Sequence, residues 1–460
     1  MAPHVLDDAA LDALRSGFAG EVLAPGDPSY DESRTLFNAM IDRRPSLIAL
    51  CETVEDVAAA IRFGRERGLE IAVRGGGHGV SGRALTDGGI VVDLRRMHAV
   101  VVDPAARTAR VGGGATMSHL DRSTQPYDLV TTGGRVSTTG VGGFTLGGGS
   151  GWLERKFGLA CDNLVEVELV TADGTLVRAA EDENPELFWA LHGGGGNFGV
   201  ATSLTLRLHP LPAVTAALLL WPPEAAPEVL RAYRSLLSSA PDEVGGGLLF
   251  LTGPPEEFVP EHLVGSLACA VVFTYAGTGD AAREALERLL ALAPQGRMVV
   301  EVPYAELQCM FDDPPGYRNH WSAEYLSDFP DEAVSRFCAR ARDMVVPSPS
   351  QHVLFPVGGA VARGPADYPL PWRRAPWVVH PFGLWADPAD DERARRWAHD
   401  VRADLRPWSS GAVYLNFIGD EGASRVIAGF GAHNVGRLAR VKREYDPENA
   451  FRLNHNIEPG

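Results

Sequence analysis

The sequence predicts an α+β protein of three consecutive segments, and two changes in composition along the chain predict their limits. Residues up to about 210 contain repeated glycine clusters between short strands. Beyond Pro210-Leu211-Pro212 these clusters disappear, and strands alternate with long amphipathic helices, a pattern typical of an α+β domain on a mostly antiparallel sheet. The sequence resembles the first segment again from Gly411 onward. We therefore divide the chain into residues 1–212, 213–411 and 412–460.

Composition excludes several classes of protein. Hydrophobic residues make up 45% of the 460 residues and charged residues 22%, so a large core can form. The net charge of −17, without a basic cluster, disfavours nucleic acid and anionic membranes as partners. No apolar run reaches the roughly 20 residues that span a bilayer. The start Met1–Asp8 does not resemble a signal peptide, and the five cysteines form no CxxC pair. We expect a cytoplasmic protein.

The first glycine loop, Val73 to Gly82, is the most informative stretch. A helix capped by Thr53 and ended by Gly68 precedes the strand Ile71–Val73, which runs into the loop. Gly77, Gly79 and Gly82 match the dinucleotide fingerprint, but a turn and the strand Ile90–Leu94 follow where that fingerprint requires a helix. The loop is therefore either a glycine-rich hairpin with an exposed His78 or a cofactor loop whose N–H groups bind an anion.

A second, longer glycine region extends from Thr131 to Trp152. A hairpin over residues 100–111 and a helix from Thr116 precede it. Because each glycine costs a helix about 1 kcal/mol relative to alanine, we predict that the whole region is loop. The strand Leu164–Val170 and a short helix begun by Asn184-Pro185 lead to a third cluster at Gly193–Gly199.

The remaining elements follow the hydrophobic pattern. In the middle segment helices are predicted at 226–239, 280–293, 331–345 and 390–405, and strands at 216–221, 248–252, 269–275, 352–357 and 378–385. The last segment is predicted to contain a strand over Val413–Phe417 and a helix around 421–441.

Taken together, the motifs resemble those of one family, the berberine-bridge-enzyme-like branch of the FAD-linked oxidases. The resemblance covers residues 40–210 and the last fifty strongly, and the middle segment only in its general layout. The motifs that carry it are Arg74-Gly75-Gly76-Gly77-His78, Val91–Leu94, Gly140 to Gly151, Arg155 to Asp162, Thr171 to Gly174, Asn184 to Ala190, Gly193 to Thr202, Tyr414-x-Asn416-Phe417 and Tyr445 to Ile457.

The resemblance implies a vanillyl-alcohol-oxidase-type FAD-binding domain made of residues 1–212 and 412–460, with 213–411 inserted as a substrate-binding domain on an antiparallel sheet. It also implies a single covalent link from His78 to FAD, because Val136 replaces the cysteine that forms a second link in many members. Cys161 is a poor substitute for the cysteine that Val136 replaces. Cofactor-binding residues carried over are Arg74, Gly75, Gly76, Gly77, His78, Gly79, Ser81, Gly82, Val136, Thr138, Thr139, Gly140, Gly142, Gly143, Gly148, Gly149, Trp152, Gly199, Val200 and Asn454.

The same resemblance implies catalytic roles for Tyr414, Asn416 and Thr139. Oxidation of a hydroxyl needs a base of lowered pKa beside the flavin, and the tyrosine of the Tyr-x-Asn motif has that role in relatives. A core tyrosine with a satisfied hydroxyl is the alternative for Tyr414, and a cap or turn role is the alternative for Asn416 and Asn454. Thr139 is expected on the oxygen side of the flavin. The strand Gln351–Val361, where some relatives carry an acid, has none.

Other candidates on the chain are less specific. His320 is an open possibility, and a strand-end histidine such as His352 is more often at the surface. Trp152 is expected either near the flavin or in the core. Aromatic residues that could form either a pocket wall or part of the core are Phe144, Phe250, Phe355 and Trp385.

The expected function is oxidation of an alcohol, phenol or amine-type carbon of a small secondary metabolite by a covalent FAD enzyme, with molecular oxygen reduced to hydrogen peroxide. An oxygenase that inserts oxygen into a polyketide-like substrate is the alternative, and a non-catalytic flavin or ligand carrier is a third. We expect no metal site, and a monomer or homodimer.

Overall fold

The structure, a computed structural model, describes residues 8–460; the expectation for Met1–Asp7 lies outside the described residues. Residues 21–93 form a four-stranded sheet in the order β1-β2-β4-β3, in which β4 is parallel to β2 and β3, and β1 is antiparallel to β2. The elements are α1 (Asp8–Ser16), β1 (Glu21–Leu23), α2 (Tyr30–Ser33), β2 (Leu47–Leu50), α3 (Val54–Glu66), β3 (Ile71–Arg74) and β4 (Ile90–Asp93).

A five-stranded antiparallel sheet follows, in the order β5-β6-β10-β8-β9, and the short strands β7 and β11 pair with each other. This part carries the two later glycine clusters between its elements. The elements are β5 (Val100–Asp103), β6 (Thr108–Gly112), α4 (Met117–Thr124), β7 (Leu129–Val130), α5 (Val141–Leu146), α6 (Glu154–Phe157), β8 (Leu164–Val170), β9 (Leu176–Ala180), α7 (Pro185–Ala190), β10 (Val200–Arg207) and β11 (His209–Pro210).

The middle of the chain forms an eight-stranded antiparallel sheet, in the order β15-β12-β14-β13-β18-β19-β16 with β17 also paired to β19. Two helices complete the chain. The elements are β12 (Val214–Trp221), α8 (Ala226–Leu237), β13 (Val244–Thr252), β14 (Leu267–Tyr275), α9 (Asp280–Leu290), β15 (Gly296–Val302), α10 (Tyr304–Met310), β16 (Arg318–Trp321), β17 (Glu324–Leu326), α11 (Asp331–Arg340), β18 (Gln351–Pro356), α12 (Ala360–Arg363), β19 (Trp377–Trp385), α13 (Asp391–Leu405), α14 (Ala423–Phe430) and α15 (Val435–Tyr445).

The two faces of the large sheet belong to different cores, because successive side chains of a strand point to opposite faces. Leu219, Leu248 and Phe250 pack with residues of α8, α9, α11 and α13. Leu249 and Val353, on the opposite face, belong to the core that also contains the five-stranded sheet and part of the C-terminal segment. One face of the sheet is therefore directed toward the glycine-rich part of the chain.

The C-terminal helix α15 is held against the third glycine cluster by a buried charge. Lys442 is fully buried and its ammonium donates to the Asp446 carboxylate at 2.6 Å, to the Asn197 carbonyl at 2.8 Å and to the Phe451 carbonyl at 3.2 Å. A buried cation needs such partners to offset its lost hydration. The tail thus contacts the glycine-rich part directly, while the domain limits at 212 and 412 stay a prediction.

Most predicted elements are present, and three expectations are wrong. The second glycine region is not all loop, because α5 forms within it; a Cβ on Gly142 would lie 3.1 Å from the Gly113 carbonyl, so a close contact requires glycine there. Val413–Phe417 is not a strand, since residues 415–417 form a 3-10 turn. The helix predicted at 421–441 is divided between α14 and α15, because Gly431 has a left-handed φ of +80°.

The first two glycine loops meet backbone to backbone. A Cβ on Gly76 would lie 2.3 Å from the Gly140 nitrogen, and one on Gly140 would lie 2.4 Å from the Gly76 nitrogen. Neither neighbour is a flexible side chain that could move aside.

This contact makes Gly76→Ala a sharp test of the packing. We expect the substitution to lower the free energy of unfolding by about 1–3 kcal/mol, the usual range for overpacking, as measured by denaturant titration. Gly79→Ala is the matched control, since nothing lies within 4 Å of its added Cβ. Equal stability of the two variants would contradict the contact.

Candidate active site

A cavity of about 620 Å³ lies between the glycine loops, one face of the eight-stranded sheet and the C-terminal segment. Many of the residues predicted at the site contribute to its wall. Those that line it are Gly75, Gly76, Gly77, His78, Gly79, Ser81, Val136, Thr139, Gly140, Gly143, Trp152, Tyr414, Asn416 and Asn454.

The remaining predicted residues lie outside the cavity wall. Arg74 points away from it; its guanidinium donates to the Ser33 carbonyl and, at 2.6 Å, to the Thr35 carbonyl, and so fixes the start of the loop. Burial lowers the pKa of Arg74 to about 10. Other predicted residues that do not line the cavity are Gly82, Thr138, Gly142, Gly148, Gly149, Gly199 and Val200.

His78 is half-buried and its imidazole faces the cavity from the first loop. Its Nε2 lies 2.8 Å from the Thr138 hydroxyl oxygen, so Thr138 contacts His78 although it does not line the cavity. The ring stacks on Phe37 with a centroid distance of 4.2 Å. Burial lowers the pKa of His78 to about 4, which keeps the imidazole neutral at physiological pH. A neutral, oriented imidazole can act as a nucleophile.

Tyr414 is 1% exposed, and its hydroxyl oxygen is surrounded by three N–H donors. The backbone N–H of Gly149 donates at 3.0 Å, that of Ser150 at 3.2 Å and the Asn416 amide at 3.0 Å. Burial raises the pKa of Tyr414 to about 12, and the three donors act against that rise. Burial therefore acts against the lowered pKa that a base requires, whereas the three donors are placed to stabilise a phenolate.

Asn416 and Thr139 are both held by backbone contacts. The Asn416 amide also donates to the Phe144 carbonyl at 3.2 Å, and a Cβ on Gly147 would meet this amide at 2.5 Å. Thr139 accepts a bond from the Met117 N–H through its carbonyl at 2.9 Å. These contacts fix the Asn416 side chain and the Thr139 backbone at the wall of the cavity.

Some of the less specific candidates line the cavity, and others lie elsewhere in the structure. His352 is fully buried between α11 and β18, with its ring 4.1 Å from that of Phe337, so the expectation of a surface histidine is wrong. His320 does not line the cavity. Cys161 is also fully buried, and burial raises the pKa of its thiol. Of the aromatic candidates, Phe144 and Phe355 line the cavity, whereas Phe250 and Trp385 lie in the core.

Polar residues of the wall that are absent from the sequence predictions include Arg135, Asp312, Asp313, Gln351 and His380. All except Arg135 come from the middle segment. No motif marks them. For His380, every residue of its strand β19 is buried, so the hydrophobic pattern does not reveal which side chains face the cavity. Only the presence of two adjacent carboxylates, Asp312-Asp313, in an apolar context could have drawn attention to this segment.

The first glycine loop fits the phosphates of a dinucleotide cofactor. Within the described residues, the backbone N–H groups of Gly76, Gly77, His78 and Gly79 donate no hydrogen bond to another protein group. Converging N–H groups of this kind bind anions. No group of three or more His, Cys, Asp or Glu side chains in residues 8–460 could hold a metal ion. In the same residues, no helix is long and apolar enough to cross a membrane.

Comparison with known proteins gives two family matches. Residues 45–180 match the family described as "FAD binding domain", and residues 413–458 match the family described as "Berberine and berberine like". The two matches include the first and second glycine loops and the segment with Tyr414 and Asn416.

Individual relatives match almost the whole chain. The chain is 34% identical over 457 residues to (R)-6-hydroxynicotine oxidase of Paenarthrobacter nicotinovorans, covering 96% of this chain and 97% of that protein. A crystal structure of 6-hydroxy-D-nicotine oxidase from Arthrobacter nicotinovorans superposes with a TM-score of 0.87 at 30% identity, covering 96% and 98% of the two chains.

Proteins of lower sequence identity have the same fold. The berberine-bridge-enzyme-like protein 1 of the moss Physcomitrella patens has a TM-score of 0.87 at 22% identity, covering 98% of this chain and 99% of that one. The vanillyl-alcohol-oxidase-type α+β fold is thereby confirmed. Motifs, site and full-length similarity lead to one conclusion: the chain belongs to the berberine-bridge-enzyme-like family of FAD-linked oxidoreductases and is an enzyme.

Proposed function

We propose that the protein holds FAD through a single covalent bond to His78 and oxidises an alcohol, phenol or amine-type carbon of a small metabolite, with molecular oxygen as the final acceptor and hydrogen peroxide as product. The observation that carries the proposal is the neutral imidazole of His78 within a loop of unpaired N–H groups, facing the cavity lined by Tyr414. Bound FAD would supply the acceptor for hydride from the substrate.

The residues that would hold the cofactor come from several loops. The N–H groups of Gly76 to Gly79 would take the phosphates, and Asn454 lies on the wall beside the third glycine cluster, where its amide donates to the Gly196 carbonyl at 3.2 Å. Thr139, three residues after Val136, would lie on the path by which oxygen enters. The side chain of threonine has the size of valine and differs from it by a hydroxyl group.

Tyr414 would accept the substrate's proton while hydride leaves the neighbouring carbon. The three N–H donors to its hydroxyl oxygen support this role, because hydrogen bonds to the anionic form make a phenolate less costly. They also fix the position of the oxygen. Burial opposes ionisation, so the fraction of phenolate is small at neutral pH.

The first compound to test is 6-hydroxynicotine, after which a relative is named, followed by a library of alcohols, phenols and amines. Stoichiometric hydrogen peroxide supports the oxidase, and incorporation of label from molecular oxygen into the product would favour the oxygenase alternative. Absence of flavin reduction by every compound would favour a carrier.

We expect His78→Ala to release the flavin on acid precipitation, whereas wild-type protein remains yellow and yields a flavin peptide containing His78. The reason is that no other cavity residue matches the family's attachment positions, since Val136 has no nucleophilic atom. Cys161→Ser is the control and should keep the covalent flavin, because the Cys161 thiol is buried away from the cavity. Flavin that wild-type protein releases on acid treatment would contradict the covalent link.

We expect Tyr414→Phe to slow reduction of the flavin by substrate about 10²–10⁴-fold, the range typical of a removed base, with little effect on reoxidation by oxygen. Because the pKa of Tyr414 is about 12, the phenolate fraction grows about tenfold per pH unit below that value. Wild-type reduction should therefore accelerate as pH rises, and the variant should not. Stopped-flow absorbance measures both half-reactions.

The matched control for this variant is Tyr233→Phe, which also removes a fully buried hydroxyl but belongs to the core on the other face of the sheet. It should leave both half-reactions unchanged. Reduction of Tyr414→Phe at the wild-type rate would remove this residue from the mechanism.

A further inference from the structure

The floor of the cavity is one face of the eight-stranded sheet, and it is mostly apolar. Leu218, Leu249 and Val353 line it. Two polar side chains interrupt this surface at neighbouring positions of β18 and β19. In the register of these strands Val353 faces His380 and Gln351 faces Phe382, so Gln351 and His380 are diagonal neighbours on the same face.

His380 presents a hydrogen-bond acceptor to the cavity. Its Nδ1 lies 2.8 Å from the Ser322 carbonyl oxygen, which can only accept, so Nδ1 carries the hydrogen and Nε2 carries the lone pair. The residue is 4% exposed, and Nε2 has no hydrogen-bond partner among residues 8–460. Burial lowers the pKa of His380 to about 4, so the ring is neutral at physiological pH.

Gln351, the diagonal neighbour of His380, contacts a carboxylate. Its amide donates to Asp313 at 2.9 Å, and the adjacent Asp312 accepts from the backbone N–H of Ser137 at 2.6 Å. Neither carboxylate forms an ion pair within the described part of the chain. Burial and the neighbouring charge of Asp312 raise the pKa of Asp313 to about 7, as expected of a carboxyl without a cationic partner.

The cations of the cavity are already paired elsewhere. Arg135 lies 3.3 Å from the buried Glu154 carboxylate, and Arg83 donates to the Asn454 carbonyl and lies 3.7 Å from Asp420. The carboxylates of Asp312 and Asp313 and the Nε2 of His380 are hydrogen-bond acceptors on the sheet side of the cavity, and none of them has a cationic partner in the described part of the chain. A ligand that complements this wall donates hydrogen bonds and carries positive charge.

We propose that the substrate of this cavity is an amine, bound with its nitrogen at the Asp313–Gln351–His380 wall and with its apolar part over Leu249 and Val353. This inference rests on the proposed function and selects one class among the alcohols, phenols and amines considered there. A neutral alcohol would leave the ionised Asp313 carboxylate without a cationic partner, and an anionic substrate would be repelled by it.

Benzylamine and benzyl alcohol are suitable probes, because they have nearly the same shape and differ in charge. We expect calorimetric titration of the flavin-loaded protein, under argon at about pH 8.5 where Asp313 is ionised, to give benzylamine an affinity about tenfold higher. Equal affinities, including the absence of binding by both compounds, or tighter binding of the alcohol would overturn the proposal.

Variants test whether Asp313 causes the higher affinity for benzylamine. Asp313→Asn keeps an oxygen that can accept from Gln351, and we expect it to lower the affinity for benzylamine about tenfold while leaving benzyl alcohol unchanged. Glu284→Gln is the matched control, since it removes one exposed carboxylate of α9 far from the cavity lining. Wild-type affinity for benzylamine in Asp313→Asn would overturn the assignment.

The same sample separates this inference from the proposed function. Its visible absorbance reports whether flavin is bound, and addition of oxygen after chemical reduction reports reoxidation and peroxide. A colourless protein contradicts the proposed function. A flavin-loaded protein that reduces oxygen but shows no preference for the amine contradicts only the inference of an amine substrate.

Discussion

The contact between Gly76 and Gly140 is the constraint on which the site depends. It brings the first glycine loop, with His78, against the second, with Val136 and Thr139, at a distance that no side chain could occupy. The unpaired N–H groups of the first loop remain directed to the cavity because the loops are held by backbone contacts and by Arg74 from behind. Unpaired backbone N–H groups and the imidazole of His78 are thus fixed together in one loop.

The two faces of the large antiparallel sheet have different roles: one packs against helices, and the other lines the cavity. One face packs helices α8, α9, α11 and α13 in an apolar core, so that the other face can carry a cavity without loss of the fold. Gln351 and His380 lie on this second face, on the wall of the cavity. Sites of variable specificity commonly rest on rigid elements in this way.

Two ionisable groups of the cavity are kept neutral by burial, with opposite consequences. The lowered pKa of His78 leaves a lone pair for bond formation, whereas the raised pKa of Tyr414 keeps a proton on its hydroxyl. The three N–H donors to Tyr414 act against burial and keep its ionised form accessible. The balance between desolvation and hydrogen bonding therefore decides the chemistry of this tyrosine.

The sequence by itself determined the family, the α+β class, the glycine loops and the motif residues His78, Val136, Thr139, Tyr414 and Asn416, because these are set by local backbone needs and by short motifs. Only the tertiary structure decided that Gly140–Trp152 contains a helix, since burial of Val141 and Leu146 in the core offsets glycine's low helix propensity. It likewise decided that Asp313, Gln351 and His380 share one wall. Strand register places Gln351 beside His380, and the loop after α10 brings Asp313 to Gln351. Such relations between residues distant in sequence leave no periodic signal in the sequence.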